Sequence, residues 1–141
     1  IEKRISEING ILKKVGIEVE FKYINEFQKD IKNDIEIACH ILNIDDKGSL
    51  DNILKTIAKG KSEYADCLKA WKECLEDKGE SVSDTIFTKF WVNNYLRFDT
   101  CDKEEQKKSS KKCNFEKALE KDFWDFEHKS LKSLKFFLKM F

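Results

Sequence analysis

The residues of this chain that are most able to do chemistry are its cysteines, and their spacing limits that chemistry. No two of them form a Cys-x-x-Cys pair, and the chain has only two histidines. A structural zinc site takes four Cys or His ligands at short paired spacings, so we expect no metal site and no cofactor. The five cysteines are Cys39, Cys67, Cys74, Cys101 and Cys113.

Disulfide bonds in a secreted protein are favoured over buried thiols in a cytosolic one, because the segment between Cys101 and Cys113 is wholly polar. Cys67 and Cys74 lie about 10.5 Å apart along one predicted helix, whereas a disulfide needs Cα atoms within roughly 7 Å. Among the remaining pairings we prefer Cys74–Cys101 with Cys67–Cys113, which ties this helix to both ends of the polar segment and leaves Cys39 as a core thiol. The alternative joins Cys101 to Cys113 and Cys39 to Cys67 or Cys74.

No catalytic motif accompanies the cysteines. The sequence contains no Gly-x-Ser-x-Gly, P-loop, dinucleotide fingerprint or His-Glu-x-x-His. Cys39 and His40 are neighbours on a predicted helix, so their side chains do not face each other. Carboxylate pairs such as Asp122 with Asp125 arise by chance in a chain that is 38% charged. We therefore expect a protein without catalytic residues, not an enzyme.

The composition predicts an all-α fold. The chain has no proline and only five glycines, so little interrupts helices. We expect one domain over 1–141, a bundle of five to six amphipathic helices held by disulfides, with an extended connector over 17–23. The helices are predicted at 1–15, about 20–43, between Ser49 and Gly60, Tyr64–Leu75, Ser83 to Phe98, and about 114–140.

The Tyr64–Leu75 stretch is predicted to be the helix that holds the others together. Tyr64, Cys67, Trp71 and Cys74 follow at steps of three, four and three, which puts their side chains on one helical face. We expect the two cysteines to anchor this helix to different partners and Trp71 to pack between them.

Neither nucleic-acid binding nor a membrane span is expected. Lysine plus arginine number 27, as do aspartate plus glutamate, whereas nucleic-acid-binding domains usually carry a basic excess. No run approaches the ~20 apolar residues of a membrane span. The chain opens at Ile1 without methionine, as a processed or trimmed chain does, and the sequence leaves open whether a signal peptide precedes it.

The last residues offer a contact surface. Phe136 and Phe137 are adjacent, so they cannot both point into one narrow core seam. Either one of them covers a neighbouring helix, or Phe136, Phe137 and Phe141 present an apolar surface to a partner.

Cysteines and aromatic residues recur in two similar sets. They are Cys39…Tyr64-x-x-Cys67 and Cys74…Tyr95…Cys101, or more locally Cys67-x-x-x-Trp71-x-x-Cys74. In these features the chain resembles the secreted aphid effectors called bicycle proteins, which are named for paired Cys-Tyr-Cys motifs. The resemblance implies an insect salivary protein that is delivered into plant tissue and influences host development, with no catalytic residue and no known ligand.

The function we expect is that of a secreted, extracellular effector that binds a host protein. A second hypothesis is a carrier of small hydrophobic ligands, because linked helices rich in aromatics can enclose a cavity. A third is a cytosolic helical scaffold with free thiols. The cavity of the carrier is expected to be lined by Phe87, Phe90, Trp91, Phe98, Phe123 and Phe126.

Overall fold

Seven α-helices and one β-hairpin make up the described part of the chain. The computed structural model describes residues 1–43, 48–108 and 114–141. A π-helical turn at Tyr95–Asp99 and a 3-10 turn at Lys129–Leu131 complete its regular structure. The hairpin joins β1 (Phe27–Asp30) to β2 (Ile35–Ala38). The helices are α1 (Glu2–Lys14), α2 (Leu50–Ile57), α3 (Leu68–Glu76), α4 (Asp84–Asn94), α5 (Lys103–Lys108), α6 (Phe115–Glu120) and α7 (Lys132–Leu138).

The chain forms two compact units. Unit 1 comprises Ile1–Gly48 and Leu131–Phe141, and unit 2 is Ser49–Ser130. The predicted helical character is confirmed, with the hairpin as an addition, while the single domain over 1–141 stays a prediction. Within the described ranges, no helix has the length and apolar character that crossing a membrane requires.

Local helix signals in the sequence are confirmed where a capping side chain sets the boundary. The Ser49 hydroxyl accepts a hydrogen bond from the backbone N–H of Asn52 and thereby starts α2. Ser83 does the same for Ile86 at the start of α4. These hydroxyls satisfy backbone donors that the first turn of a helix leaves unpaired.

The helix predicted over 20–43 is wrong, because this stretch forms the hairpin. β1 and β2 pair antiparallel, and the turn between them is built on Asp30. The Asp30 carboxylate accepts hydrogen bonds from the backbone N–H groups of Lys32 and Asn33, at 3.0 and 3.2 Å. A side chain that bonds its own backbone two and three residues on favours a turn over a helix. Ile31, placed by helical spacing on the apolar face, is 85% exposed.

Asp30 is expected to make the stability of unit 1 depend on acid pH. The hydrogen bond from the Asn33 amide does most to hold the pKa of the Asp30 carboxyl below its usual 3.8, while burial acts in the opposite direction. The stabilisation is therefore complete above that usual value and is lost as the pH falls through the lowered pKa. Urea unfolding, followed by circular dichroism at several acid pH values, measures the effect.

Asp30→Asn is expected to be less stable at neutral pH and to lose less stability than the wild type on acidification. Asp34→Asn is the matched control, since the Asp34 side chain is 89% exposed. An Asp30→Asn variant whose acid dependence matched that of the wild type would contradict the role of this carboxylate.

The single helix predicted over about 114–140 is also wrong, since residues between α6 and α7 lie extended against the chain that follows α2. The backbone N–H of Lys59 donates to the carbonyl of Phe123 at 2.8 Å, and Ala58 and Trp124 form an isolated antiparallel bridge. The indole of Trp124 is buried and donates to the carbonyl of Ala118 at 2.8 Å. The backbone pairing of Ala58 with Trp124 is incompatible with a helix that continues through Trp124.

The core of each unit is built from side chains that are distant in sequence. In unit 1, Phe21 packs with α1 and the hairpin, and the Asn9 amide bonds both its backbone groups, at 2.8 and 2.9 Å. In unit 2, α2 and α4 pack around Tyr95. The buried apolar side chains of unit 1 include Ile5, Phe21, Cys39 and Leu131. Those of unit 2 include Ile53, Leu54, Ile57, Trp91, Val92, Tyr95, Leu96 and Trp124.

Candidate interaction surface

Cys39, Cys67 and Cys74 form none of the disulfides predicted for them. Cys39 is a buried free thiol, and Cys67 and Cys74 are exposed free thiols. The preferred pairing, Cys74–Cys101 with Cys67–Cys113, is therefore not formed, because each of its disulfides needs Cys67 or Cys74. No disulfide joins two of the described residues. Cys113 lies outside the described residues, so its pairing with Cys101 stays a prediction.

The stretch expected to anchor the fold lies at the surface instead. α3 begins at Leu68, and the residues from Tyr64 to Cys67 form a turn. None of the α3 side chains is buried, and Trp71 is 37% exposed. The predicted role of Trp71 as a packing wedge between two bridges is therefore wrong, although its ring does contact Phe90, with centroids 5.6 Å apart.

A polar network around the buried Ser62 in unit 2 has the residue types of an active site, but its hydrogen bonds join parts of the fold. The Ser62 hydroxyl donates to the Asp99 carboxylate and accepts from the Ala65 N–H, each at 2.7 Å. Asp66 accepts from the Trp91 indole at 3.0 Å. Burial raises the pKa of Asp99, and the Ser62 hydrogen bond opposes that shift. Since Ser62 is buried, its hydroxyl is not open to a substrate.

A metal-binding arrangement is not found in the part of the chain that the structure describes: no group of three or more His, Cys, Asp or Glu side chains is placed to hold an ion.

Three of the six rings expected to line a ligand cavity are open to solvent. Phe90, Phe98 and Phe126 are exposed, whereas Trp91 is buried. A groove of about 640 Å³ lies in unit 1 and is lined by none of these rings. The predicted lining and the carrier function both stay predictions. The groove is lined by Asn9, Gly10, Lys13, Gly16, Ile17, Glu18, Val19 and Glu20.

Four rings of unit 1 form a continuous row of contacts, and one of them is carried by α7. The rings are those of Phe27, Phe141, Phe137 and His40. The ring centroids of Phe27 and Phe141 are 4.9 Å apart, and those of Phe141 and Phe137 are 5.3 Å apart. The Phe137 ring in turn stacks on His40, at 5.1 Å. Such edge-on and offset contacts are favourable geometries for aromatic pairs. These contacts hold the rings of Phe137 and Phe141 in defined positions against the hairpin and His40.

Two of the three predicted contact residues are largely open to solvent. Phe136 is 61% exposed and Phe141 is 78% exposed, while Phe137 is partly buried in the row. Of the adjacent rings, Phe137 thus packs against its neighbours and Phe136 is exposed. The sequence left two alternatives, core contact or an exposed surface, and each ring adopts one of them. We call Phe27, Phe136, Phe137 and Phe141 the α7 surface.

Asn25 and His40 position the α7 surface. Asn25 adopts a positive φ of 63° and its N–H donates to the carbonyl of Cys39 at 2.8 Å. Its side-chain oxygen lies 2.7 Å from Nδ1 of His40, and its amide nitrogen donates to the Ser133 hydroxyl at 3.2 Å. Burial lowers the pKa of His40, which favours a neutral ring with a proton on Nδ1 that donates to Asn25.

Sequence reasoning missed the contributions of Phe27 and His40. Both were assigned to one helix over 20–43, on which they could not meet α7. The signal that could have found them is the turn vocabulary of Asp30-Ile-Lys-Asn-Asp34, which predicts a hairpin when short β-branched runs flank it.

The charge of the C-terminal segment that carries α7 is one-sided. Residues 128–141 contain four lysines and no acidic residue. Lys132 and Lys139 are exposed. An apolar centre with a cationic rim is complementary to a partner surface that combines an apolar pocket with carboxylates. Comparison with protein-family models, with curated proteins and with solved structures finds no match to this chain.

Proposed function

We propose that this chain is a secreted, non-enzymatic effector that binds a host protein through the α7 surface. The observation that carries the proposal is the exposure of Phe141, which is part of the packed row of rings, and of Phe136, whose sequence neighbour Phe137 is part of it. Soluble proteins rarely leave contiguous apolar area open unless it binds something. Large rings in ordered positions lose little conformational freedom on binding, which suits them to be binding hot spots.

The partner that fits is an acidic protein surface with an apolar pocket. Lys132 and Lys139 flank the rings of α7, and lysines at a rim act mainly on the association rate. A net charge of zero over the whole chain favours this local recognition over general attraction to polyanions. The resemblance to the aphid bicycle proteins supports an insect salivary effector that is delivered into a plant host and alters its development.

Binding is expected to depend on the exposed rings. The tagged full chain is incubated with soluble plant-tissue extract, captured proteins are quantified, and the affinity of each purified candidate is measured by calorimetry. Phe136→Ser combined with Phe141→Ser is expected to weaken the affinity about 30-fold or more, the usual effect of losing a hot spot of ~2 kcal/mol.

The matched control is Ile31→Ser, which removes an even more exposed apolar side chain from the hairpin turn of the same unit. It is expected to leave the affinity within about threefold of the wild type, since single surface changes usually cost about 0.5 kcal/mol or less. A partner that bound the double variant as tightly as the wild type would overturn the proposal. So would equal losses in both variants.

A further inference from the structure

A groove in unit 1 lies between α1 and the chain that follows it, and it shares no residue with the α7 surface. Its larger part has a volume of about 640 Å³, which is within the usual range of ligand sites. A smaller part of about 260 Å³ adjoins it, since Asn9 and Glu20 line both. We call the two parts together the α1 groove.

One face of α1 forms the first wall of the groove. Its lining side chains follow at steps of four, three and four, which places them in one row along the helix. They are Glu2, Ser6, Asn9 and Lys13. Gly10 also lines the groove, and a Cβ added there would meet no atom within 4 Å. The wall is therefore open at this glycine.

Residues 17–21 lie opposite, and their hydrogen bonds alternate in direction. Exposed and less exposed side chains alternate along them, as in an extended chain. The N–H of Phe21 donates to the side-chain oxygen of Asn9 on α1, at 2.9 Å. The N–H of Glu18 donates to Asp30 on the hairpin, at 3.2 Å. The odd-numbered residues of this stretch thus direct their backbone groups to α1, and the even-numbered ones direct theirs away from it.

Val19 carries the backbone groups that the groove leaves open. It lies two residues before Phe21, so its N–H and C=O also face α1. Neither group has a hydrogen-bond partner among the described residues. The Val19 side chain packs on the core of unit 1, which holds this backbone in place. A peptide bonds such a pair of groups with the N–H and C=O of one of its own residues.

Charges of opposite sign stand at the two ends of the groove. Lys13 lines the larger part, Glu2 lines the smaller one, and Glu20 lies where the parts meet. None of these three side chains has an ion-pair partner in the part of the chain that the structure describes. A ligand with a negative and a positive end is therefore complementary to the groove.

The two other charged side chains of the groove do not cancel this polarity. The carboxylate of Glu18 is already held by Lys32, at 3.2 Å. Lys22 lines the smaller part, where the carboxylates of Glu2 and Glu20 outnumber it.

The length of the groove sets the length of such a ligand. Along α1, Lys13 is about 10.5 Å from Ser6 and about 16.5 Å from Glu2. This distance corresponds to about three to five residues of extended peptide. A free amino acid carries both charges on one carbon atom and cannot reach both ends.

We propose that the α1 groove binds a short free peptide, with its carboxylate at Lys13 and its ammonium between Glu2 and Glu20. This direction is antiparallel to residues 17–20, and in that arrangement one peptide residue exchanges two hydrogen bonds with Val19. The contacts are made to the backbone and the termini of the peptide, so its side chains contribute little to selection.

Tetra-alanine is the probe that tests the peptide assignment. Calorimetry with the full chain is expected to show binding at millimolar peptide, and NMR spectra of labelled protein are expected to show a shift of the Val19 amide signal. Tetra-alanine with an acetylated amine and an amidated carboxylate is expected to bind about tenfold more weakly or worse, because it lacks both charges. No binding of tetra-alanine would overturn the proposal, as would equal binding of the blocked peptide.

Gly10→Leu tests the groove itself. Its side chain occupies the open wall, so the affinity for tetra-alanine is expected to fall about tenfold or more, while the melting temperature does not fall, because glycine is unfavourable inside a helix. Gly10→Ala adds only a Cβ and is expected to stay within about threefold of the wild type. Equal affinities of Gly10→Leu and the wild type would overturn the proposal.

Lys13→Met tests the site of the carboxylate. It is expected to weaken binding of tetra-alanine about three- to fivefold, the usual range for an exposed ion pair. Lys14→Met is the matched control, since Lys14 is exposed but does not line the groove. Equal losses in the two variants would overturn the assignment of Lys13. The combined Phe136→Ser and Phe141→Ser variant is expected to bind tetra-alanine as the wild type does, which separates this site from the α7 surface.

Discussion

Replacing Tyr95 with alanine is expected to lower the free energy of unfolding of unit 2 by about 3–5 kcal/mol, as for other large buried rings. Tyr95 is only 1% exposed. Its ring stacks on Trp91, with centroids 5.1 Å apart, and meets Trp124 edge-on at 5.3 Å. The substitution therefore leaves a cavity at the place where α4, the π-helical turn and the residues after α6 meet.

The phenol oxygen adds a polar contribution that Tyr95→Phe isolates. It lies 3.0 Å from the carbonyl of Lys59 and 3.1 Å from that of Phe123, and its single proton can donate to either. Tyr95→Phe is expected to cost about 1–3 kcal/mol, because it leaves buried acceptors without this donor. Phe90→Ala, at an exposed ring of the same helix, is the control and is expected to cost about 1 kcal/mol or less.

Urea unfolding followed by tryptophan fluorescence measures these changes, since Trp91 and Trp124 both contact the replaced ring. If Tyr95→Ala cost no more than Phe90→Ala, the central position of Tyr95 would be wrong. Alkaline pH gives a second check. Burial, with a smaller contribution from the Asp99 carboxylate, raises the pKa of Tyr95 from 10.0 to about 12. Stability is therefore expected to fall as the pH rises above 10, less so in Tyr95→Phe.

Phe21→Ala is expected to have a similarly large effect on unit 1, again about 3–5 kcal/mol. Phe21 is 2% exposed and packs with Ile5 and Cys39. Asn9 donates one hydrogen bond to the Phe21 carbonyl and accepts another from the Phe21 N–H, and these bonds hold the backbone in place and oppose collapse into the space. A site that cannot relax keeps the full cavity and bears the larger cost.

Hydrogen exchange read by mass spectrometry measures this change, because the three tryptophans all lie in unit 2. Faster exchange is expected in α1 and in the hairpin. Tyr23→Ala removes an exposed ring two residues away and is expected to leave that exchange nearly unchanged. Equal protection in Phe21→Ala and Tyr23→Ala would show that Phe21 does not hold unit 1 together.

The sequence predicted structure well where neighbouring residues decide it. Ser49 and Ser83 cap their helices through hydroxyls that reach only three residues along the chain. It failed where a distant contact decides, as at Trp124, whose pairing with Ala58 ends a helix that the apolar spacing continues. The stretch around Asp30 was predicted to be helical because its apolar residues follow at steps of three and four. The same steps also occur in this hairpin, so the spacing alone does not distinguish the two structures.

The same difference between local and distant determinants applies to the candidate surface and to the cysteines. Phe136 and Phe137 were recognised because adjacency alone forbids both rings from entering one seam. The row that supports them depends on Phe27 and His40, which only the hairpin brings to α7. For the cysteines, helix geometry excluded a bridge between Cys67 and Cys74. Whether Cys67 or Cys74 could bond another cysteine depended on the position of α3 in the fold, which the spacing of neighbouring residues does not predict.

Unit 1 is interrupted in sequence, and this has a consequence for synthesis. Its first part ends at Gly48 and its second begins at Leu131, so all of unit 2 is translated between them. Phe27 and His40 contact rings of the second part, which is made only after unit 2. At about 5–20 residues per second, these two rings stay uncovered on the ribosome for several seconds, long enough for a chaperone to reach the nascent hairpin.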